Sequence, residues 1–197
     1  TTVYGQTITF TATIAILPLG GGTLGGTVDF LDNGVLMPGG DDVPITGNEA
    51  KLVTTLLSAG AHANITAKYN GTANYNISTS PSLSRTVNKA DTQTALTTNF
   101  ATAVYGQATI KATVTPIAPG GNIPAGDVTF FITNTQFAIT TQRTIALDAA
   151  GVATLTPPLD VGTYTIFAKY TGISNYNASA DSKTISQTVN PAATATA

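Results

Sequence analysis

The chain contains no cysteine, which excludes disulfides, thiolate metal sites and cysteine nucleophiles together. Charge is scarce as well. Asp, Glu, Lys and Arg make up 9% of its 197 residues, against about 25% in an ordinary soluble domain. The eight basic residues are scattered singly and the formal net charge is −2, so no electropositive stripe is available to neutralise a phosphate backbone. Nucleic acid is therefore not an expected partner. No run of about twenty apolar residues occurs, so insertion of a helix into a membrane is not expected either. Thr1 opens a strand-like segment rather than a charged and then apolar leader, which fits a mature secreted product or a piece of something longer. With a single histidine, the raw material for acid–base or nucleophilic catalysis is thin.

What the chain does have is threonine, about a fifth of its residues, and 19 glycines. β-Branched residues with abundant turn formers speak for strands. They are arranged in a repeat, the feature that organises the rest. Val3-Tyr4-Gly5-Gln6 recurs as Val104-Tyr105-Gly106-Gln107, and Gly26-Thr27-Val28-Asp29-Phe30 as Gly126-Asp127-Val128-Thr129-Phe130. Ala67-Lys68-Tyr69-Asn70-Gly71 with Asn74-Tyr75-Asn76 returns as Ala168-Lys169-Tyr170-Thr171-Gly172 with Asn175-Tyr176-Asn177, and Thr86-Val87-Asn88 as Thr188-Val189-Asn190. After the glutamine, Ile8, Phe10, Ala12 and Ile14 of copy one match Ala108, Ile110, Ala112 and Val114 of copy two, displaced by one residue. A deletion or bulge just after Gln107 preserves the inward face.

Period-two alternation between turn signals predicts strands near 7–16, 27–31, 43–45, 52–56, 62–69 and 78–87 in copy one. In copy two it predicts 94–99, 109–114, 127–132, 144–147, 152–156, 164–170 and 184–189. Asp32-Asn33-Gly34, Gly20-Gly21-Gly22 and Pro119-Gly120-Gly121 mark turns between them. Short strands at intervals of roughly 8–12 residues in units of about 100 residues are the signature of a sandwich. The expected fold is all-β: two tandem immunoglobulin-like β-sandwich domains, at 1–90 and 91–197, the second carrying a C-terminal tail.

The Val-Tyr-Gly-Gln opening, the Leu147–Ala153 hairpin, Leu159-Asp160-Val161-Gly162-Thr163-Tyr164 and the closing Tyr-x-Gly with Asn-Tyr-Asn resemble the bacterial Ig-like repeats of large secreted and surface proteins. The resemblance covers nearly the whole chain twice. It implies a tandem array used as a spacer or adhesive module, with no catalytic residues to carry over. Copy one departs from it at His62, which stands one residue further from Tyr69 than Tyr164 does from Tyr170. That departure leaves open whether copy one has the tyrosine-corner hydrogen bond.

Candidate sites are few. His62 sits where copy two has Tyr164, so a structural corner is expected of it rather than catalysis. The carboxylates do not repeat in register, and Asp41-Asp42 beside Gly39-Gly40 is the best metal candidate, read here as a solvated loop. Lys68 and Lys169, tested as isopeptide donors, fall on the outward side of their strands. The outward row Thr7, Thr9, Thr11, Thr13 could match ice, but its counterpart Thr109, Lys111, Thr113 is broken by a lysine, so β-propensity is the preferred explanation. Tyr75 and Tyr176 flank the last hairpin of each copy, where they could stack on a sugar or pack across the hairpin. No catalytic residue, cofactor or metal is expected.

The ends of the two copies differ. Thr92–Ala103 supplies a first strand before the second Val-Tyr-Gly-Gln, whereas only Thr1 and Thr2 precede the first, so copy one is expected to lack its first strand and show an open edge. Residues 191–197 alternate Ala and Thr and resemble the start of another repeat. Either the chain is trimmed from a longer array, or the tail of one molecule completes the edge of the next by strand addition. The expected function is a non-catalytic extracellular or cell-surface structural or adhesive protein, a stalk, adhesin segment or strand-linked fibre. Its partners would be neighbouring repeats, copies of itself or surface glycans. The competing expectation is a carbohydrate-binding accessory module of a secreted enzyme.

Overall fold

The computed structural model describes residues 2–18, 20–156 and 158–196. Every regular element among them is a strand. The chain divides into two compact units, Thr1–Lys89 and Ala90–Ala197.

Unit 1 comprises β1 (Thr2–Val3), β2 (Ile8–Thr13), β3 (Thr27–Asp32), β4 (Val35–Leu36), β5 (Val43–Pro44), β6 (Glu49–Thr54), β7 (Gly60–Tyr69), β8 (Ser78–Thr79) and β9 (Leu83–Asn88). One sheet has the order β1-β9-β7-β3-β4, with β5 on β3 and β8 on β7; β2 and β6 pair alone. Unit 2 comprises β10 (Thr92–Thr98), β11 (Thr102–Val104), β12 (Ile110–Pro116), β13 (Asp127–Asn134), β14 (Ile139–Ala146), β15 (Val152–Thr154), β16 (Gly162–Tyr170) and β17 (Ile185–Asn190). Its sheets have the orders β11-β17-β16-β13-β14 and β10-β12-β15. In each unit the strand that follows the Val-Tyr-Gly-Gln opening, β2 or β12, lies in one sheet, at the edge of its pair in unit 1 and at the centre in unit 2, and the short strand that carries the opening's first residues, β1 or β11, runs parallel to the last strand in the other.

Alternation dictates which side chains fill the space between the sheets. Ile8 and Phe10 of β2 are buried, as are Ile110, Ala112 and Val114 of β12, so the inward face survives the one-residue displacement after Gln107. Phe30 and Phe130 are 2% and 0% exposed at the centres of their cores. Asn33 and Gly34 both take positive φ, at 49° and 81°, which a two-residue hairpin with the native strand twist requires.

The strands depart from their sequence expectations at identifiable places. The expected strand at 78–87 is two, β8 and β9, interrupted at Ser80-Pro81: proline cannot donate to a ladder, and the Ser80 hydroxyl instead accepts the Ala67 N–H at 3.0 Å. The strand expected at 52–56 runs from Glu49 to Thr54, and Leu56, beyond it, is 54% exposed. β7 holds a bulge between His62 and Ile65, where three residue steps face two in β9. The bulge absorbs the extra residue of copy one and turns both His62 and Ile65 inward.

Candidate functional site

The units differ most along the outer edge of β2 and its counterpart β12. In unit 2, β10 lies antiparallel along that edge, from Thr92 opposite Pro116 to Thr98 opposite Ile110. Its inward-facing threonines tie it across to the connection between β16 and β17 and to β17 itself. The Thr92 hydroxyl donates to the Asn177 carbonyl at 2.9 Å, Thr94 Oγ1 lies 2.7 Å from Ser179 Oγ, and the Thr98 hydroxyl donates to Gln187 Oε1 at 2.7 Å. Gln187 is fully buried, so this last bond supplies a partner the side chain cannot find in water. Just before the strand, Ala90 bridges to Tyr176: its N–H donates to the Asn175 carbonyl at 3.0 Å, and the Asn177 N–H donates to its carbonyl at 2.9 Å.

In unit 1, β2 pairs with β6 on one side and has no strand on the other among the described residues. That side opens into a groove of about 490 Å³ between β2 and the β7–β9 face, lined by Ala12, Ile14, Ser78, Leu83 and Arg85. Equivalent positions measure the difference. Ala112 and Val114 are buried in unit 2, while Ala12 and Ile14 are half-exposed. Leu83, at the place of the half-buried Ile185, is 49% exposed. Arg85 faces His62 across the ladder as Gln187 faces Tyr164, and its buried Nε has no hydrogen-bond partner where Gln187 meets Thr98. A second depression, of about 410 Å³, is lined in part by Tyr75 and Asn76, the counterparts of the Tyr176 and Asn177 that Ala90 contacts in unit 2.

The tyrosines at the last hairpin of each unit do one job. The hydroxyls of Tyr69 and Tyr75 donate to the carbonyls of Gly25 and Gly21, both at 2.9 Å; those of Tyr170 and Tyr176 donate to Ala125 at 2.6 Å and Gly121 at 2.9 Å. Each pair fastens the hairpin to the loop ahead of β3 or β13. Tyr176 is 3% exposed and offers no open ring face, whereas Tyr75 remains half-exposed.

His62 takes the place of the corner tyrosine. The Tyr164 hydroxyl donates to the Asp160 carbonyl, four residues back, at 3.2 Å; His62 Nε2 lies 2.8 Å from the Ser58 carbonyl, also four residues back, and Nδ1 lies 2.6 Å from Asp32 Oδ2. Both ring nitrogens therefore face acceptors, and neither is free to take a proton from a nucleophile. Of the carboxylates beside Gly39-Gly40, Asp42 accepts from the Thr27 hydroxyl at 2.6 Å, and its backbone N–H donates to Asp29. Asn70 Nδ2 also donates to Asp29, which holds the Asp29 carboxyl below its ordinary range. No group of three or more potential metal ligands forms among the described residues. Lys68 and Lys169 sit beside the carboxylates of Asp29 and Asp181, at 4.0 and 3.8 Å. The Thr9 and Thr11 row has Val53 and Lys51 as its cross-strand neighbours, so it is not continued as a threonine face.

Two sandwiches with this strand order define a tandem immunoglobulin-like protein. The family model described as "Bacterial Ig-like domain (group 3)" matches residues 1–88 and again 96–190, and the chain belongs to that family. No curated protein matches it. Among solved structures it is similar to a tetra-tandem repeat in the extending region of a large adhesion protein, at 18% identity and a TM-score of 0.48, over 93% of this chain and 46% of that one. It is also similar to a β-glycosidase from Bacteroides vulgatus, at 14% identity and a TM-score of 0.32, over 93% of this chain and 25% of the enzyme. A segment of titin domains gives 12% identity and a TM-score of 0.29, over 96% of this chain and 61% of that one. The chain thus spans less than two thirds of each of these three structures. The fold rests on the family match and the strand order.

Proposed function

We propose that the chain is a non-catalytic structural or adhesive module of an extracellular or cell-surface protein, acting in a row of Ig-like domains as a stalk or adhesin segment. The observation that supports this most is the tandem itself: β9 ends at Asn88 and β10 begins at Thr92, so three residues separate the last strand of one family domain from the first of the next. A link this short is what consecutive modules of one array have. The repeated polar groups, the two tyrosine–carbonyl pairs above all, are engaged in holding loops, and the lone imidazole is engaged at both nitrogens.

An antibody against the chain should label intact cells that produce it, and brief protease treatment of those cells should remove the label. Labelling only after lysis would overturn the surface placement. The carbohydrate-module reading predicts glycan-array binding that is lost in Tyr75→Ala with the fold intact; no such binding is expected.

A further inference from the structure

At one edge of the five-stranded sheet of unit 2 lies β14, Ile139–Ala146, paired to β13 along its whole length. Among the described residues no other strand at a sheet edge is as long. The corresponding edge of unit 1 is broken. Only Val35–Leu36 and Val43–Pro44 pair with β3 there, and between them the chain turns inward at the buried Met37, with Pro38, Asp41 and Asp42 alongside. Short strands, proline and charged side chains are the usual means of keeping an edge from pairing with another chain. β14 contains no proline and no acid, and its one charged residue, Arg143, lies half-buried on the core side, opposite Phe130.

The bonding pattern shows which groups are left over. The Leu147 N–H donates to the Gly126 carbonyl at 2.8 Å, one step past the pairing of Ala146 with Asp127. In an antiparallel ladder the bonds alternate along each strand, so Arg143 and Ile145 share theirs with β13, while Thr140, Gln142 and Thr144 aim N–H and C=O away from the sheet. No strand lies on that side among the described residues, and all three residues are exposed.

We propose that β14 is an interface for a second copy of this chain, whose own β14 adds to it antiparallel so that the two sheets run on as one. The contact is lateral, beyond the end-to-end row of modules, and does not require placement on a cell surface. The composition of the strand sets the register. The free groups lie on even-numbered residues, so these form the mutually bonded pairs, and a two-fold axis through Arg143 would set that guanidinium against itself. Like charges directly opposite are destabilising. With the axis at Gln142, Arg143 falls opposite Thr141, and Ile139, 59% exposed, gains Ile145 of the second copy. Thr140 falls opposite Thr144. Each already meets a hydroxyl of β13, Thr133 with Thr140 at 2.8 Å and Thr129 with Thr144 at 2.9 Å, and a hydroxyl with one donor and two acceptor sites has room for another. The threonine rows thus continue from one copy into the next. The same patch on both copies makes a closed isologous pair, with main-chain bonds as the source of affinity.

Sedimentation equilibrium of the full chain gives the test. The weight-average mass should rise with concentration towards that of a dimer. Gln142→Lys and Gln142→Glu each set like charges across the axis and should each abolish the rise; mixed in equal amounts, they set lysine opposite glutamate and should restore it. Gln142→Pro removes an N–H that the β13 ladder does not use, so it should abolish the rise and leave the melting transition of unit 2 in place. A chain monomeric at every concentration, a rise that either charged variant or a folded proline variant retains, or a mixture that stays monomeric would each overturn the proposal. The charged variants alter only an exposed side chain and decide the matter even if the proline disturbs the strand. Failure of surface labelling on cells leaves these masses unaffected.

Discussion

His62 and Asp32, thirty residues apart in sequence, are held with Nδ1 2.6 Å from Oδ2, while the other ring nitrogen reaches the Ser58 carbonyl at 2.8 Å. A neutral imidazole can donate from one nitrogen only; the protonated ring donates from both. Burial by itself would lower the His62 pKa, but the Ser58 carbonyl and the Asp32 carboxylate outweigh it and raise the value above the ordinary 6.5. A raised folded-state pKa means that protonation favours the folded form. The stabilisation is complete below about 6.5, the value of a histidine in the unfolded chain, and is lost as pH rises through the folded value. The melting temperature of unit 1, followed by amide signals resolved for each unit, should fall as pH rises above about 6.5. Unit 2, which has no histidine, should change far less over that window. His62→Tyr installs the residue of unit 2, retains the reach to Ser58, and should flatten the pH dependence of unit 1. An unchanged slope in that variant would assign the dependence elsewhere.

Phe130 is fully buried between the sheets of unit 2, on the inward face that Val128 and Ile132 share. Replacing it with alanine removes the ring and leaves a cavity the surrounding strands can only partly close. Phe130→Ala should cost about 3–5 kcal/mol, enough to unfold a domain of ordinary stability. An unaltered melting transition for unit 2 would contradict the placement of this face.

The core faces, the repeat and the position of the corner were legible because each is a matter of period and register. Alternation marks Ile8 and Phe10 as inward without any knowledge of what they touch, and the two copies check each other. His62 was legible as a corner residue because it stands where copy two has Tyr164, but the bulge that swings it inward was not, since one extra residue can be absorbed anywhere along a strand. β1 and β11 were missed because two or three residues in a parallel pair show no alternation. The three threonine contacts of β10 were hidden for another reason: β-propensity already accounts for threonine in a strand, so nothing in the composition singles out a hydroxyl that crosses to the facing sheet. The orphaned Arg85 nitrogen becomes meaningful only beside the Thr98–Gln187 bond that its counterpart makes.

Gly126 takes φ +103°, and a Cβ built on it would lie 2.7 Å from Ile173 Cγ2, close to the Tyr170 ring that fastens the hairpin. Backbone strain and the clash act together here, because the loop cannot relax without loosening the Tyr170–Ala125 bond. Gly126→Ala should therefore lower the stability of unit 2 by more than the roughly 1 kcal/mol that separates glycine from alanine at an unstrained site. Gly34→Ala is the control: its φ is +81° but nothing lies within 4 Å of the added Cβ. Equal losses in the two variants would show that φ alone sets the cost and that the contact with Ile173 contributes nothing.

The Thr98 hydroxyl is the partner of a side-chain oxygen that has no access to water. Gln187 is fully buried; its Nε2 donates to the Thr188 carbonyl at 3.0 Å, and its Oε1 accepts from Thr98 at 2.7 Å. Thr98→Val keeps the shape and the β-propensity of the strand and removes only the donor. The loss should be about 1–3 kcal/mol, the cost of leaving a buried acceptor unpaired rather than the smaller net worth of one hydrogen bond. Gln187→Leu removes the acceptor, so in the double variant the valine should cost much less than it does alone. The resulting coupling, read from denaturant midpoints of unit 2 at constant slope, should exceed about 0.5 kcal/mol, as expected of residues in direct contact. Additive losses would mean that the Thr98–Gln187 bond does not help to hold β10, leaving its ladder with β12 and the Thr92 and Thr94 contacts.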